Sequence, residues 1–220
     1  MSGFENYEVI NKAIDSYLKE NIKEIMKKEL NANHVLKWAL ENGYPQIVKE
    51  LLQRNKTDEN FDYGYIFKIS CKKGYTNIVK LLLNDNRLDF EKYANSALES
   101  AAASGKIDIV KLLLKDKRLK IEYHNCALSE ASKYGRKEIV KLLLKDGRFK
   151  PQYNGNRALY WAVQTGKNEI VELLLKDERV DVYHHDLKIA EEMKYIEITK
   201  MLKKALNLDK PIGKYELKLK

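Results

Sequence analysis

The chain of 220 residues has few of the residues that mark specialised architectures. Two cysteines are too few for a disulfide-stapled scaffold, and they favour a reducing compartment. Three prolines and ten glycines exclude collagen-like and low-complexity structure. No apolar run approaches the roughly 18 residues of a membrane span, and the polar, acidic start is unlike a signal peptide. We therefore expect a cytoplasmic protein without a membrane span.

Sequence signatures of catalysis and of metal binding are also missing. There is no Gly-rich phosphate loop, no G-x-S-x-G motif and no H-E-x-x-H motif. The histidines and cysteines do not have the spacing of known zinc sites. Cys71 and Cys126 fall at first-helix positions of different repeats, so we interpret both as small packed thiols. We predict no enzymatic activity, no cofactor and no metal site.

The net charge is the first positive feature. The chain carries +9, from 41 Lys and Arg against 32 Asp and Glu, which suggests nucleic acid or an anionic membrane as a partner. The excess is unevenly distributed, because residues 200–220 alone contain seven lysines against two acidic residues. The charge therefore indicates a basic tail and not one basic face.

One block of sequence recurs five times. A glycine is followed four residues later by Ile-Val, one charged residue (two in the first copy) and a run of leucines; the glycines are Gly43, Gly74, Gly105, Gly135 and Gly166. They lie 31, 31, 30 and 31 residues apart. A degenerate sixth copy at 197–202 has Lys194 at the glycine position. Chance does not produce five such copies in register, so the chain is a repeat array.

Each copy predicts two short helices. Upstream of Gly105, Gly135 and Gly166, Ala-Leu-x-x-Ala gives a small, apolar stripe, and downstream of the glycines Ile-Val-x-Leu-Leu-Leu gives a second amphipathic helix. The glycine between them suits a left-handed helix end. Because such helices are marginal alone, stacking must bury their stripes. We predict an all-α solenoid of stacked antiparallel helix pairs, with short inter-repeat loops.

This pattern resembles the ankyrin repeat over roughly residues 33–206. The period is shorter than in the family, and the Thr-Pro-Leu-His segment is replaced, so we expect shortened fingers with little or no strand. The loops share an Asp-x-Arg-apolar signature that is similar to arrays of large DNA viruses, and 34 lysines with 17 asparagines fit an AT-rich genome. The four signature loops are 85–88, 116–119, 146–149 and 177–180.

The domain organisation follows from the repeat register. We predict N-terminal capping helices at 1–30, five ankyrin-like repeats at 31–182, a C-terminal capping repeat at 183–206 and a basic tail at 207–220. Terminal repeats differ from the internal ones because their outer faces meet water.

The resemblance also implies a binding surface. In the family, the residues just before the glycine line a concave groove, and here they vary from repeat to repeat. The candidates are Lys72, Lys73, Lys133, Tyr134, Gln164 and Thr165. Trp161 occupies a position where other repeats have Ile69, Ser100 or Glu130, so it is either a contact residue or a partly buried one.

A column of tyrosines recurs every 30 residues, in the predicted loop before the first helix of each pair. Its members are Tyr63, Tyr93, Tyr123, Tyr153 and Tyr183. They supply either recognition surface or packing across the seam between repeats, and we favour packing. The loop arginines likewise either form a ladder for a partner or pair with aspartates of the same or the next repeat. We favour pairing; the arginines are Arg87, Arg118, Arg148 and Arg179.

The resulting hypothesis is a monomeric, non-enzymatic scaffold that binds a partner protein, a host protein if the chain is viral, through the concave face and loops. The alternative is binding of nucleic acid or anionic lipid through the Lys-rich tail. A ubiquitin-ligation adaptor would need a recruiting module at one end, and 1–30 is too short for one.

Overall fold

The computed structural model describes residues 32–53, 62–121, 126–151 and 153–208. Within these ranges the chain forms twelve α-helices and no β-strand, which confirms the predicted all-α repeat fold. The predicted caps at 1–30 and nearly all of the tail at 207–220 lie outside the described residues. The helices are α1 (Ala32–Asn42), α2 (Pro45–Gln53), α3 (Tyr63–Lys73), α4 (Thr76–Leu83), α5 (Phe90–Ala103), α6 (Ile107–Lys115), α7 (Ala127–Lys133), α8 (Lys137–Lys145), α9 (Tyr153–Gln164), α10 (Asn168–Leu175), α11 (His184–Glu192) and α12 (Ile196–Ala205).

Each helix pair turns at a residue with left-handed backbone. The five repeat glycines have φ between 65° and 91°, as predicted for the end of the first helix. At the first-helix end of α3, the Gly74 N–H donates to the Ser70 carbonyl at 2.9 Å. Lys194, at the glycine position of the degenerate copy, has φ 59°. The turn is therefore kept even where the glycine is absent.

The repeated apolar residues form the core. In α5 the side chains of Ala97, Leu98 and Ala101 are buried, and in α6 those of Ile109 and Leu113 are buried as well. The small alanines let neighbouring first helices approach closely. Burying each Leu or Ile side chain contributes about 1.5–3 kcal/mol, so the stacked pairs supply stability that a single short helix lacks.

In the Asp-x-Arg loops, the arginine side chain donates hydrogen bonds to the aspartate of the same loop. Arg179 donates from Nε and Nη2 to the Asp177 carboxylate at 2.8 and 2.6 Å, and its Nη2 also reaches the Leu144 carbonyl at 2.8 Å. Arg87 bonds Asp85 in the same way and lies 3.3 Å from the Leu52 carbonyl. Pairing within the loop is thus the observed arrangement. The guanidinium groups of Arg87, Arg148 and Arg179 also reach carbonyls of the repeat before, so they tie these three loops to it.

The chain forms two compact units, which divide between Tyr93 and Ala94 inside α5. The first unit contains α1–α4, and the second contains α6–α12. No helix in the described ranges combines the length and the apolar character needed to cross a bilayer.

Candidate partner-binding surface

Lys133, Tyr134 and Trp161 come together on the first helices of the second unit. Lys133 ends α7, Tyr134 follows it, and Trp161 lies on α9. The Lys133 ammonium lies 4.4 Å from the centroid of the Trp161 ring and 5.5 Å from that of Tyr134. Among the described residues it has no carboxylate partner. The structure thus presents a cation held against two aromatic rings.

Two further rings extend this group. Tyr160 meets Trp161 edge-on at 5.2 Å between ring centroids, and it stacks on His185 at 6.2 Å with 6° between the rings. We call Lys133, Tyr134, Tyr160, Trp161 and His185 the aromatic surface. Tyr134 keeps 48% of its surface exposed, and Tyr160 and Trp161 are half-buried. The rings are therefore available to a second molecule.

The sequence analysis did not select Tyr160 and His185. The candidates were taken from the two positions just before each glycine, from the Trp161 position and from the tyrosine column, and Tyr160 and His185 belong to none of these sets. Their contact joins α9 to α11, and the sequence carried no signal for it.

Gln164 and Thr165 occupy the end of α9 and the turn after it. The Thr165 hydroxyl lies 2.6 Å from the Trp161 carbonyl and 3.1 Å from the Lys133 carbonyl. It therefore links α7 to α9 beneath the aromatic surface. Gln164 is half-buried at the C-terminal end of α9.

The candidates of the first unit, Lys72 and Lys73, end α3 and are exposed. The Lys73 ammonium donates to the Glu41 carbonyl at 2.7 Å, so it is engaged with the preceding repeat. The Tyr65 hydroxyl donates to the Glu41 carboxylate at 2.9 Å, and this hydrogen bond raises the pKa of Tyr65. Lys72 makes no such hydrogen bond within the described part of the chain, so its ammonium is the one of the two that is available to a partner.

Trp38, the first-unit counterpart of Trp161, is 49% exposed. Its ring stacks on Tyr44 with centroids 5.3 Å apart and 19° between the planes. The Lys37 ammonium lies 5.6 Å from the Tyr65 ring centroid. Both units therefore carry a partly exposed Trp in contact with another ring.

Three tyrosines of the column lie in helices and not in loops, so the expectation was wrong for them, whereas Tyr183 lies just before α11 as expected. Tyr63 and Tyr153 begin α3 and α9, and Tyr93 lies inside α5. The reason at α3 is a cap, since the Asp62 carboxylate accepts the Tyr65 N–H at 2.9 Å and starts the helix one residue later. Tyr123 lies outside the described residues, as does the Tyr153 side chain.

The described tyrosines of the column differ in role. Tyr63 is buried, with the Arg87 guanidinium 4.7 Å from its ring centroid. The Tyr93 ring packs against Gly64, where a Cβ atom would collide with it. Tyr183 caps α11 and remains 50% exposed. Packing accounts for the first two, and only Tyr183 offers a large accessible surface.

The cysteines and the potential metal ligands are dispersed. Cys71 is fully buried, and desolvation raises the pKa of its thiol. Cys126 is half-buried and immediately precedes α7, one residue outside the helix in which it was expected. In the part of the chain that the structure describes, no three His, Cys, Asp or Glu side chains form a group that would hold a metal ion.

Comparison with known proteins identifies the repeats as ankyrin repeats. A family model described as ankyrin repeats in three copies matches residues 36–125 and 116–186, which together make up well over half of the chain. The matched region includes the aromatic surface as far as His185. No curated protein matches the chain at a significant level.

Proposed function

We propose that this chain, which belongs to the ankyrin-repeat family, binds a partner protein through the first helices of its repeats. Ankyrin repeats are generally protein-protein interaction modules. Stacked repeats offer an extended surface to which each repeat contributes variable side chains. The binding role comes from the family; the location of the contact comes from the residues of this chain.

The aromatic surface is the observation that carries the location. Trp, Tyr and Arg are enriched among the residues that dominate the binding energy of protein interfaces, and Trp and Tyr bury large areas at little cost in side-chain entropy. Here Trp161 adjoins Tyr160, and the Lys133 ammonium, which has no carboxylate partner among the described residues, lies over the rings of Trp161 and Tyr134. A partner with an apolar side chain beside an acceptor group fits this arrangement.

The repeat itself does not require Trp161. The corresponding positions hold Ile69, Ser100 and Glu130, which differ in size and polarity, yet all are half-buried on their first helices. A residue that can be small or charged elsewhere in the array is not fixed by packing. This variation supports a contact role for Trp161 and makes Trp161→Ser a mild substitution for the fold.

The test is affinity capture with the full chain as bait. We expect Lys133→Ala combined with Trp161→Ser to reduce recovery of the partner at least about tenfold. Lys176→Ala combined with Ile196→Ser is the control, because it removes one exposed lysine and one exposed large apolar residue from second helices. If both variants recover the partner equally and unfold at the same temperature, the assignment of the binding surface to the first helices would be wrong.

The source of the partner is part of the proposal. The Asp-x-Arg-apolar loops and the abundance of Lys and Asn support an origin in a large DNA virus, with a host protein of the host cytoplasm as partner. We take the array to act as a monomer. Sedimentation of the purified chain tests the monomer, and capture from host and non-host cell extracts tests the source.

A second candidate function rests on the charge of residues 200–220, a segment that contains seven lysines and two acidic residues. Such a segment attracts nucleic acid or anionic lipid, with an affinity that falls steeply as salt rises. A chain ending at Leu206 should lose this binding and keep the capture of a protein partner. Binding that survives the truncation would exclude the tail as its site.

A further inference from the structure

A shallow groove of about 270 Å³ lies between two second helices of the second unit, α6 and α8. Its floor is formed by the half-buried side chains of Leu114 and Leu142. Its rim carries three exposed lysines, Lys111, Lys115 and Lys145. We call these five residues the lysine groove. The lysine groove lies on second helices, whereas the aromatic surface lies on first helices, and the two share no residue.

The lysines of the rim are uncompensated. Lys111, Lys115 and Lys145 have no carboxylate partner among the described residues. The one acidic residue at the groove, Asp146, is occupied by Arg148, whose Nε and Nη2 lie 2.9 and 2.7 Å from its carboxylate oxygens. The groove therefore combines an apolar floor with a surplus of positive charge.

Two other lysines in equivalent parts of the array are paired with glutamates. Lys141 pairs with Glu138 at 2.8 Å, and Lys176 pairs with Glu172 at 2.7 Å. At the position of Lys111, the α10 repeat has Glu172 instead. The surplus charge at the groove is thus a local feature and does not follow from the repeat as such.

We propose that the lysine groove binds an acidic peptide segment of a partner protein, with an apolar side chain seated on Leu114 and Leu142. The carboxylates on either side of that side chain pair with Lys111, Lys115 and Lys145. Burial of the apolar side chain supplies the hydrophobic contribution, and the ion pairs supply orientation and association rate. The site is independent of the protein-binding role assigned to the first helices.

The surroundings favour a compact peptide over an anionic membrane or a nucleic acid. Glu138 at the start of α8 and Glu169 and Glu172 on α10 are exposed near the groove, with 58–72% of each side chain accessible. An extended anionic surface would meet these carboxylates as well as the lysines, whereas a short segment confined to the groove avoids them. The leucine floor also offers nothing to a bare phosphate group.

The experiment uses fluorescein-labelled seven-residue peptide pools and the full chain, read by fluorescence polarisation. The test pool has Gly at both ends, Asp or Glu at positions two, three, five and six, and Leu, Phe or Met at the centre. One control pool has Gly at the centre, and another has Lys at the acidic positions. We expect the test pool to bind at least about tenfold more tightly than either control pool, and less tightly as salt rises.

Matched variants locate the binding. The triple variant should bind the test pool at least about tenfold more weakly than the unmodified chain; its substitutions are Lys111→Glu, Lys115→Glu and Lys145→Glu. The variant with Gln at the same three positions should also bind the test pool more weakly. The control changes three exposed lysines elsewhere to Glu, giving the same net charge; we expect it to bind like the unmodified chain. Those lysines are Lys80, Lys176 and Lys200.

Three results would overturn the proposal. They are equal binding of the test pool and the Gly-centred pool, unchanged binding by the groove variants, and groove-dependent binding of phosphatidylserine vesicles or inorganic phosphate without binding of the peptide. The Lys133→Ala and Trp161→Ser variant should bind the test pool normally. Failure of the groove and failure of the first-helix surface are therefore distinguishable.

Discussion

Arg148 holds Asp146 through two side-chain hydrogen bonds and, with the same guanidinium, reaches the repeat before it. Its Nε and Nη2 donate to the Asp146 carboxylate at 2.9 and 2.7 Å, and its Nη2 and Nη1 lie 2.9 and 3.2 Å from the carbonyls of Leu114 and Leu119. One planar side chain thus closes its own loop and joins two repeats. Lysine has no such fork of donors.

Arg148→Lys should therefore destabilise the array although it keeps the charge. A lysine ammonium can pair with Asp146 but cannot also reach both carbonyls, so about 1–2 kcal/mol of unfolding free energy is lost. Urea unfolding followed by circular dichroism measures this. Arg157→Lys, at an exposed site on α9, is the control and should change stability by less than about 0.5 kcal/mol. Equal effects of the two substitutions on the unfolding free energy would contradict the role of Arg148 in joining the two repeats.

Acid should weaken the array through its loop aspartates. The arginine hydrogen bonds lower the pKa of Asp85, Asp116, Asp146 and Asp177. The pKa of a carboxyl in the unfolded chain is about 3.9. The unfolded chain therefore binds more protons than the folded chain as the pH falls. The stabilisation is complete above the unfolded pKa and is lost as pH falls through the lower, folded pKa.

The check is the urea midpoint measured between neutral pH and about pH 3. Asp146→Asn should be less stable than the unmodified chain at neutral pH, and its stability should fall less steeply on acidification, since one of the four carboxylates no longer titrates. Two parallel profiles would show that Asp146 does not contribute to the pH dependence.

Two glycines with ordinary backbone make a matched pair for packing. A Cβ at Gly64 would collide with the ring of Tyr93, whereas a Cβ at Gly147 meets nothing within 4 Å. Gly64→Ala should lower the unfolding free energy by about 1–3 kcal/mol through overpacking. Gly147→Ala should be neutral or slightly stabilising, because it reduces the freedom of the unfolded chain. Thermal unfolding of both variants tests the contrast.

Lys194 is the residue at which a glycine should stabilise the chain. Its φ of 59° is left-handed, which costs a residue with a side chain about 1–2 kcal/mol, partly offset by the greater unfolded entropy of glycine. Lys194→Gly should therefore raise the unfolding free energy by about 0.5–1 kcal/mol. Lys188→Gly, inside α11, should lower it by about 1 kcal/mol. Destabilisation by both substitutions would show that the turn gains nothing from glycine.

The repeat fold could be predicted because its determinants are local and recur. Five copies of one glycine and two apolar stripes identify helix, turn and helix without knowledge of any long-range contact. The positions of the tyrosines were less predictable. Asp62 moves the start of α3 to Tyr63, and the start of α5 at Phe90 places Tyr93 within a helix, so small shifts in helix boundaries changed what each tyrosine contacts.

The candidate sites divide in the same way. Variable positions before the glycine selected Lys133, Tyr134, Thr165 and, separately, Trp161, and the structure brings these four together. The sequence did not reveal that Lys73 is engaged by the Glu41 carbonyl, or that Lys111, Lys115 and Lys145 surround one groove. Those facts depend on distances between different repeats.

By itself, the sequence determined the helix pairs, the left-handed turns and the all-α class, since these follow from residue type and from periodicity along one helix. Only the tertiary structure decided which groups of different repeats meet. Lys73 donates to the Glu41 carbonyl of the preceding repeat, and Lys111 and Lys145 line one groove although they lie on different second helices. A pair such as Lys141 and Glu138 lies three residues apart on one helix, so the sequence already indicates it, whereas a contact between repeats depends on distances that periodicity along one helix does not give.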